Sequence, residues 1–351
     1  MKTYGNLWSQ VVSWENLFAA YQKCRRRKRS KPAAAAFDFQ WESNLLDLQR
    51  ELMAGTYAPG RYRHFWVREP KLRKISAAPF RDRVVHHAVV RVLEPIFERR
   101  FIHDSYACRV GKGTHRALHR AQRFLRRYAY YLKTDIVRFY PSVDHEVMFA
   151  VLAQHISDKP LLELVAKVLA SGDGVFEDEP PADILAGGGA VSAHRPHGLP
   201  IGNLTSQFFA NVLLDQVDHF VKEELRAPGY VRYADDMVLF AGDKTALWEW
   251  RDAMSDRLSG LRLHLHQHKT YVRRATAGLK FLGFVLTRDT RRVQQSGLKR
   301  FNQRLRRLRW LKAQHLIRPQ DIARSFQAWL GHIESANSAG IRRAIWKRAW
   351  F

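Results

Sequence analysis

The most restrictive stretch of this chain is Tyr230–Phe240, which reads Tyr-Val-Arg-Tyr-Ala-Asp-Asp-Met-Val-Leu-Phe. β-Prone residues stand on both sides of a polar pair, the pattern of a β-hairpin. The turn itself is two adjacent carboxylates. Asp suits turns because its side chain bonds nearby backbone, so an Asp-Asp hairpin taken alone serves structure as readily as chemistry. A third acid narrows the choice. Asp135 sits in an apolar segment at 130–140, Tyr-Tyr-Leu-Lys-Thr-Asp-Ile-Val-Arg-Phe-Tyr. A charge there is costly unless it has a partner or a metal.

Phosphoryl transfer accounts for such a set. Two divalent ions about 3.5–4 Å apart can clamp an attacking and a leaving oxygen. Magnesium takes oxygen ligands: a few carboxylates, substrate phosphates and water. Asp135, Asp235 and Asp236 supply the carboxylates, and the backbone carbonyl of Ile136 can add one more oxygen. Mn²⁺ can substitute for Mg²⁺ in such a set.

The charge balance names the class of partner. Lys and Arg number 59 against 33 Asp and Glu, a formal net charge of +26. Self-repulsion on that scale does nothing for folding, and nucleic acid is the usual polyanion that balances it. The same charge would also serve a non-enzymatic RNA chaperone. At 46% apolar and 26% charged residues, the chain has a core and is not disordered. Cys24 and Cys108 stand far apart, in no metal-ligand spacing, so a reducing cytoplasmic setting is expected and zinc is not. No signal peptide and no membrane span are expected, because no apolar run follows Lys2 and none reaches about 18 residues.

Periodicity predicts one amphipathic helix over 7–23, a basic run Arg-Arg-Arg-Lys-Arg-Ser-Lys at 25–31, and a helix over 38–54 ended by Gly55. Strand-like alternation covers 62–76. A helix over 81–100 is interrupted near Pro95. Residues 130–140 read as a buried strand leading into a turn at Pro141-Ser142, and 143–170 as helical. The segment 171–198, rich in Gly, Pro and Asp, reads as an exposed hairpin or loop. Helices follow at 203–226 and 244–260, and strands at 229–234, 237–242, 262–266, 270–274 and 279–286. After Thr287 the composition shifts: 288–312 carries ten Lys or Arg and one acid, and the rest looks helical. His264, His266 and His268 alternate as one strand face would. Gly111-Lys112-Gly113-Thr114 hints at a phosphate loop, but a P-loop needs glycine at position 106, where Tyr106 stands.

Taken in order, these motifs resemble those of reverse transcriptases over nearly the whole chain. Tyr233-Ala-Asp-Asp236 resembles the Y-x-D-D motif, and Asp135–Tyr140 followed by Pro-Ser-Val-Asp-His145 resembles the first catalytic motif. Gly198–Gln207, Gly-Leu-Pro-Ile-Gly-Asn-Leu-Thr-Ser-Gln, resembles the motif beneath the nascent base pair. Lys269 matches the lysine of the fourth motif, and Phe281-Leu282-Gly283-Phe284 resembles the primer grip.

The resemblance implies an α+β right hand. An N-terminal helix would cover 1–29, fingers 30–128, a palm 129–287 with an insertion at about 146–197, and a helical thumb 288–351. It implies RNA-directed DNA synthesis on template RNA and a primer, from dNTPs. Tyr140 would be the steric gate against ribose. Lys71 and Arg73 would grip the triphosphate, with Lys74 an alternative, and Lys269 would protonate pyrophosphate. Ile201, Gly202 and Gln207 would line the nucleotide site. Lys299, Arg300, Arg304 and Arg307 would track the template–primer backbone. Arg25, Arg26 and Arg27 would hold structured RNA, or form a solvated linker.

Many group II intron enzymes read Q-G-x-x-x-S-P where this chain reads Ile201-Gly-Asn-Leu-Thr-Ser-Gln207. That departure, with Ser-Trp-Glu-Asn-Leu-Phe-Ala-Ala-Tyr-Gln-Lys at 13–23 and Phe-Arg-Asp-Arg-Val-Val-His-His-Ala at 80–88, resembles the enzymes of diversity-generating retroelements. These make error-bearing cDNA with a small basic ring-forming accessory protein. With an end at 351, no RNase H or endonuclease domain is expected, as in that family. Retron-type, group II-like and phage-defence enzymes share the same motifs.

Overall fold

The computed structural model describes residues 3–68, 72–177 and 195–349. Lys71 and most of the 171–198 segment lie outside them. The chain is α+β. The helices are α1 (Trp8–Val12), α2 (Trp14–Arg25), α3 (Pro32–Phe39), α4 (Trp41–Met53), α5 (Phe80–Glu98), α6 (Thr114–Arg127), α7 (Phe139–Ser142), α8 (His145–Ala153) and α9 (Lys159–Ala170). They continue with α10 (Leu204–His219, extended by a π-helical turn at Phe220–Glu224), α11 (Lys244–Gly260), α12 (Gln295–Ala313), α13 (Pro319–Ile333) and α14 (Ala339–Ala349).

Side-chain caps set several starts. Asp144, Asp158 and Asp243 each accept from a backbone N–H three residues on, satisfying an orphan donor of the first turn. Ser13 does the same for Asn16, and its extended backbone divides the helix expected over 7–23 into α1 and α2. Pro95 does not interrupt α5, which runs on to Glu98.

The central sheet is antiparallel in the order β4 (Gly229–Tyr233), β5 (Asp236–Ala241), β3 (Tyr130–Thr134), β6 (Tyr271–Arg274). β3, β4 and β5 are largely buried on both faces, and the edge strand β6 is partly exposed. Leu132, Tyr230 and Leu239 enter the large core that also takes residues of α10 and α11. Tyr131, Val231, Val238 and Phe240 enter a second core with α6 and the small sheet of β7 (Leu279–Phe281), β8 (Phe284–Leu286) and β9 (Arg291–Val293).

Three strand expectations change. The strand over 279–286 is a hairpin, because Leu282 and Gly283 both take positive φ, at 48° and 87°, the turn geometry that matches strand twist. Residues 262–266 contribute only an isolated bridge, Leu265 to Ile136. The strand expected over 130–140 stops at Thr134, and Phe139–Ser142 is a helical turn. A further hairpin, β1 (Arg63–Arg68) with β2 (Leu72–Ala77), projects with β1 exposed along its length. It is joined to the central body where Asn203 accepts from the Ala78 N–H and donates to the Ser76 carbonyl. The C-terminal helices close on Phe301, Leu305 and Ile345.

Candidate active site

The catalytic candidates meet at one end of the central sheet. Thr134 pairs with Met237 across β3 and β5, and Tyr233 pairs with Asp236 across the hairpin. Asp135 therefore leaves its strand beside the Ala234-Asp235 turn. Ala234 holds φ at 53°, an uncommon conformation for a residue with a Cβ. Asp135 and Asp235 lie within hydrogen-bond reach of each other. Burial, and then the charge of Asp135, push the Asp235 carboxyl up to about 7. Two cations balance the cluster. Lys269 Nζ pairs with Asp135, and Lys133 Nζ pairs with Asp236 at 3.1 Å.

Lys133 was not visible as a site residue in the sequence. Its signal was there, since it stands two positions before Asp135 and shares that strand face. The fourth-motif lysine is held to a carboxylate here, in a 3₁₀ turn at Gln267–Lys269. That turn also ends the alternation expected of His264, His266 and His268. Among the described residues no three His, Cys, Asp or Glu side chains form a ready-made metal cage. The donor set is nevertheless all oxygen. Asp135 and Asp235 repel each other and would gain from a cation between them, while Asp236 would have to leave Lys133 to join. These residues fit hard divalent cations. The bridge between Ile136 and Leu265 uses the Asp135 carbonyl and the Val137 N–H. The Ile136 carbonyl stands outside that pairing.

The hairpin is braced from behind. Arg232 is fully buried and bidentate to Asp218, at 2.8 Å through Nε and 2.7 Å through Nη2. Its Nη1 donates to Asn211 at 3.0 Å and to the Ala234 carbonyl at 3.3 Å, at the turn itself. Tyr230 adds a hydrogen bond to Asp218 at 2.8 Å. Sequence reading missed this network, although a charged residue between Val231 and Tyr233 on a buried strand was its mark. On the hairpin's other side the Thr114 hydroxyl donates to the Tyr233 phenol at 3.1 Å.

Tyr140 is half-buried beside this cluster. Burial raises its phenol most, and the charges of Asp235 and Arg73 both reach it. Arg73, exposed on β2, is thus near the site. Gly202 takes φ 116°, and a Cβ there would come within 2.9 Å of Ile75, so that turn seats β2. The Ile201 carbonyl accepts from the Ser76 N–H at 2.9 Å. Gln207 is exposed on the first turn of α10.

Phe281 and Phe284 are buried, with the Phe284 ring 4.9 Å from His332 of α13. Arg300, Arg304 and Arg307 of α12 line a groove of about 830 Å³ with Arg68 of β1, floored by Phe301 and Trp329. Lys299 does not line it. Arg25 is tied to Asp38 at 3.3 Å, whereas Arg26 and Arg27 are exposed; none of the three is near the carboxylates.

An antiparallel palm sheet with acids at the strand end and the hairpin turn, beside a projecting hairpin and a basic helical module, defines a right-hand nucleic-acid polymerase. The model of the family described as "Reverse transcriptase (RNA-dependent DNA polymerase)" matches residues 68–286. The chain belongs to that family. It is 26% identical over 288 residues to Protein YkfC of Escherichia coli, covering 70% of this chain and 71% of that protein. It is 21% identical over 338 residues to the Putative COX1/OXI3 intron 1 protein of Saccharomyces cerevisiae, covering 80% of this chain and 39% of that protein. The group II intron-encoded protein LtrA of Lactococcus lactis is 25% identical over 184 residues, 51% of this chain and 28% of that protein. The chain thus spans well under half of the two intron proteins. Among solved structures, telomerase from Candida albicans with a telomeric RNA fragment aligns with a TM-score of 0.48 and 12% identity, over 68% of this chain and 47% of that chain. Among the described residues no helix is long and apolar enough to cross a membrane.

Proposed function

We propose that this chain copies RNA into DNA by two-metal nucleotidyl transfer. The observation that carries the reading is the approach of Asp135 to Asp235 across two strands, with Asp236 next in the chain. Asp135, Asp235, Asp236 and the Ile136 carbonyl would hold two Mg²⁺, or Mn²⁺ in their place. Bound there, such ions would lower the pKa of the attacking 3′ hydroxyl and neutralise the charge that builds on the leaving pyrophosphate. Lys269, paired with Asp135, would hand a proton to pyrophosphate once it leaves that carboxylate. Arg73, with Lys71, would steady the triphosphate, and Tyr140 would exclude a 2′ hydroxyl. Ile201, Gly202 and Gln207 would flank the nascent pair, and Phe281–Phe284 the primer end. Arg300, Arg304 and Arg307 suit a duplex backbone, since they line one groove. The corresponding division is fingers 30–128, palm 129–287 with an insertion at 146–197, and thumb 288–351.

The finer reading is the error-prone enzyme of a diversity-generating retroelement, working in the cytoplasm with a small basic ring-forming partner. The Ile201–Gln207 departure supports it, because an aliphatic side chain replaces an amide near the templating pair and removes hydrogen bonds that would check it. The intron-encoded relatives favour the second reading, a group II-like enzyme. Primer extension on an RNA template with dNTPs and Mg²⁺, followed by sequencing of the cDNA, separates them. Errors clustered at template adenines, reduced by Ile201→Gln, support the first. Accurate copying supports the second, and no extension removes both.

A further inference from the structure

A dense patch of positive charge outside the catalytic cluster lies on α6. His115, Arg116, His119 and Arg123 recur at helical spacing on its exposed face, while Ala117, Leu118, Ala121 and Phe124 are buried in the core beneath. Lys112 from the preceding loop and Arg291 of β9 line a groove on this face with His115, Arg116, His119 and Arg123. The resulting groove has a volume of about 410 Å³, and five of its lining side chains are permanently cationic while none is acidic. The nearest carboxylate, Asp104, is buried and already holds Arg120 through two bonds of 2.8 and 2.9 Å. Arg116 and Arg123 form no ion pair with any described residue. Burial, then repulsion from Arg109, lowers the Lys112 ammonium below its ordinary value; Asp104 and Glu98 offset this in part, and Arg116 adds to the repulsion. Folding gains nothing from such crowding. A row of anions spaced along a chain would relieve it, and a phosphate backbone is that row.

The groove is separate from the catalytic cluster, since none of its lining residues is a catalytic candidate. It begins close by, because Thr114 at the head of α6 touches Tyr233 of the hairpin. We infer that the α6 groove is a second sugar–phosphate binding track, holding a strand of structured RNA outside the polymerase cleft through Lys112, Arg116, Arg123 and Arg291. The inference rests on the polymerase reading only for the choice of RNA as the polyanion.

The test compares the full chain with Arg116→Glu/Arg123→Glu. Both positions are exposed, so folding is checked simply by circular dichroism, and the milder Arg116→Gln/Arg123→Gln pair replaces it if the first misfolds. Fluorescence anisotropy is read without dNTPs across a salt series, with a long structured RNA and with a short primer–template duplex. Each lost phosphate contact should lower the log–log salt slope by roughly 0.7–0.9. The expected result is a slope shallower by about 1.5 and long-RNA affinity down roughly tenfold or more at low salt, with binding and extension of the short duplex unchanged. Equal loss for both ligands would make the groove part of the cleft and overturn the inference, as would no loss for either. Polyglutamate competing for the groove better than RNA of equal charge would point to an acidic protein and also overturn it. A chain that never extends a primer yet binds long RNA through Arg116 and Arg123 would sink the polymerase reading and leave this one standing.

Discussion

Replacing Asp235 by Asn should make the metal-free protein more stable while it destroys the activity. The Asp235 carboxyl is pushed from 3.8 up to about 7 by burial and by Asp135. A folded-state value above the unfolded one means that the native form binds the proton more tightly. Stability from this group is therefore intact below about pH 4 and is lost as pH rises toward 7. Each tenfold in proton affinity is about 1.4 kcal/mol. Allowing for solvent at this half-buried site, the strain at pH 8 is on the order of 3 kcal/mol. With an unfolding entropy of about 2.1 cal/mol/K per residue, that is a rise in Tm of roughly 4 °C for Asp235→Asn at pH 8. The gain should shrink by more than half at pH 5. Added Mg²⁺ should raise the Tm of the unaltered chain and leave the variant nearly unmoved, since a ligand stabilises only the state that binds it. Calorimetry at the two pH values, with and without Mg²⁺, measures all of this. An Asp235→Asn protein that melts at or below the original at pH 8, or a gap independent of pH, would refute the electrostatic reasoning.

Three further outcomes follow from the same geometry. Arg232→Ala should cost about 3–5 kcal/mol by leaving Asp218 buried and unpaired, and the Arg232→Met/Asp218→Leu pair should recover part of it, as read by chemical denaturation. Tyr140→Ala should raise rNTP incorporation relative to dNTP by about 10–200-fold in single-nucleotide extension, the range expected for removing one steric contact. His219 is held up to about 9, first by the Asp215 carboxylate 3.5 Å from its Nε2 and then by Glu223. Its contribution is present below the unfolded value near 6.5 and fades as pH rises through about 9, so His219→Gln should cost about 2 kcal/mol at pH 6 and little at pH 9.5.

What the sequence made legible was whatever local chemistry alone decides. The hairpin around Asp235 and Asp236 is flanked by apolar strands and lies within a residue of its expected place. The helix at 244–260 starts at an Asp243 cap and matches its expected bounds. The Leu282-Gly283 turn was hidden because leucine gives no turn signal, and the pairing of β7 with β8 decides it. The break at Ser13 needed the cap to Asn16 to be seen. Within the candidate site the three acids could be named from strand and turn positions, but Lys133 and Arg232 could not. Their value lies in partners brought from elsewhere in the chain, Asp236 and Asp218, and a lone charged residue in a strand does not name its partner.

Asp135, Asp235 and Asp236 are proposed to act together on a primer end paired to RNA. The most direct measurement is the single-turnover rate of first-nucleotide addition on an RNA template, for the unaltered chain and for Asp135→Asn, with template–primer affinity measured alongside. Mg²⁺-dependent addition should fall by roughly 10³-fold or more in the variant, a loss of about 4 kcal/mol of transition-state stabilisation, with affinity kept. Addition that proceeds at the original rate without the Asp135 carboxylate would contradict that joint role.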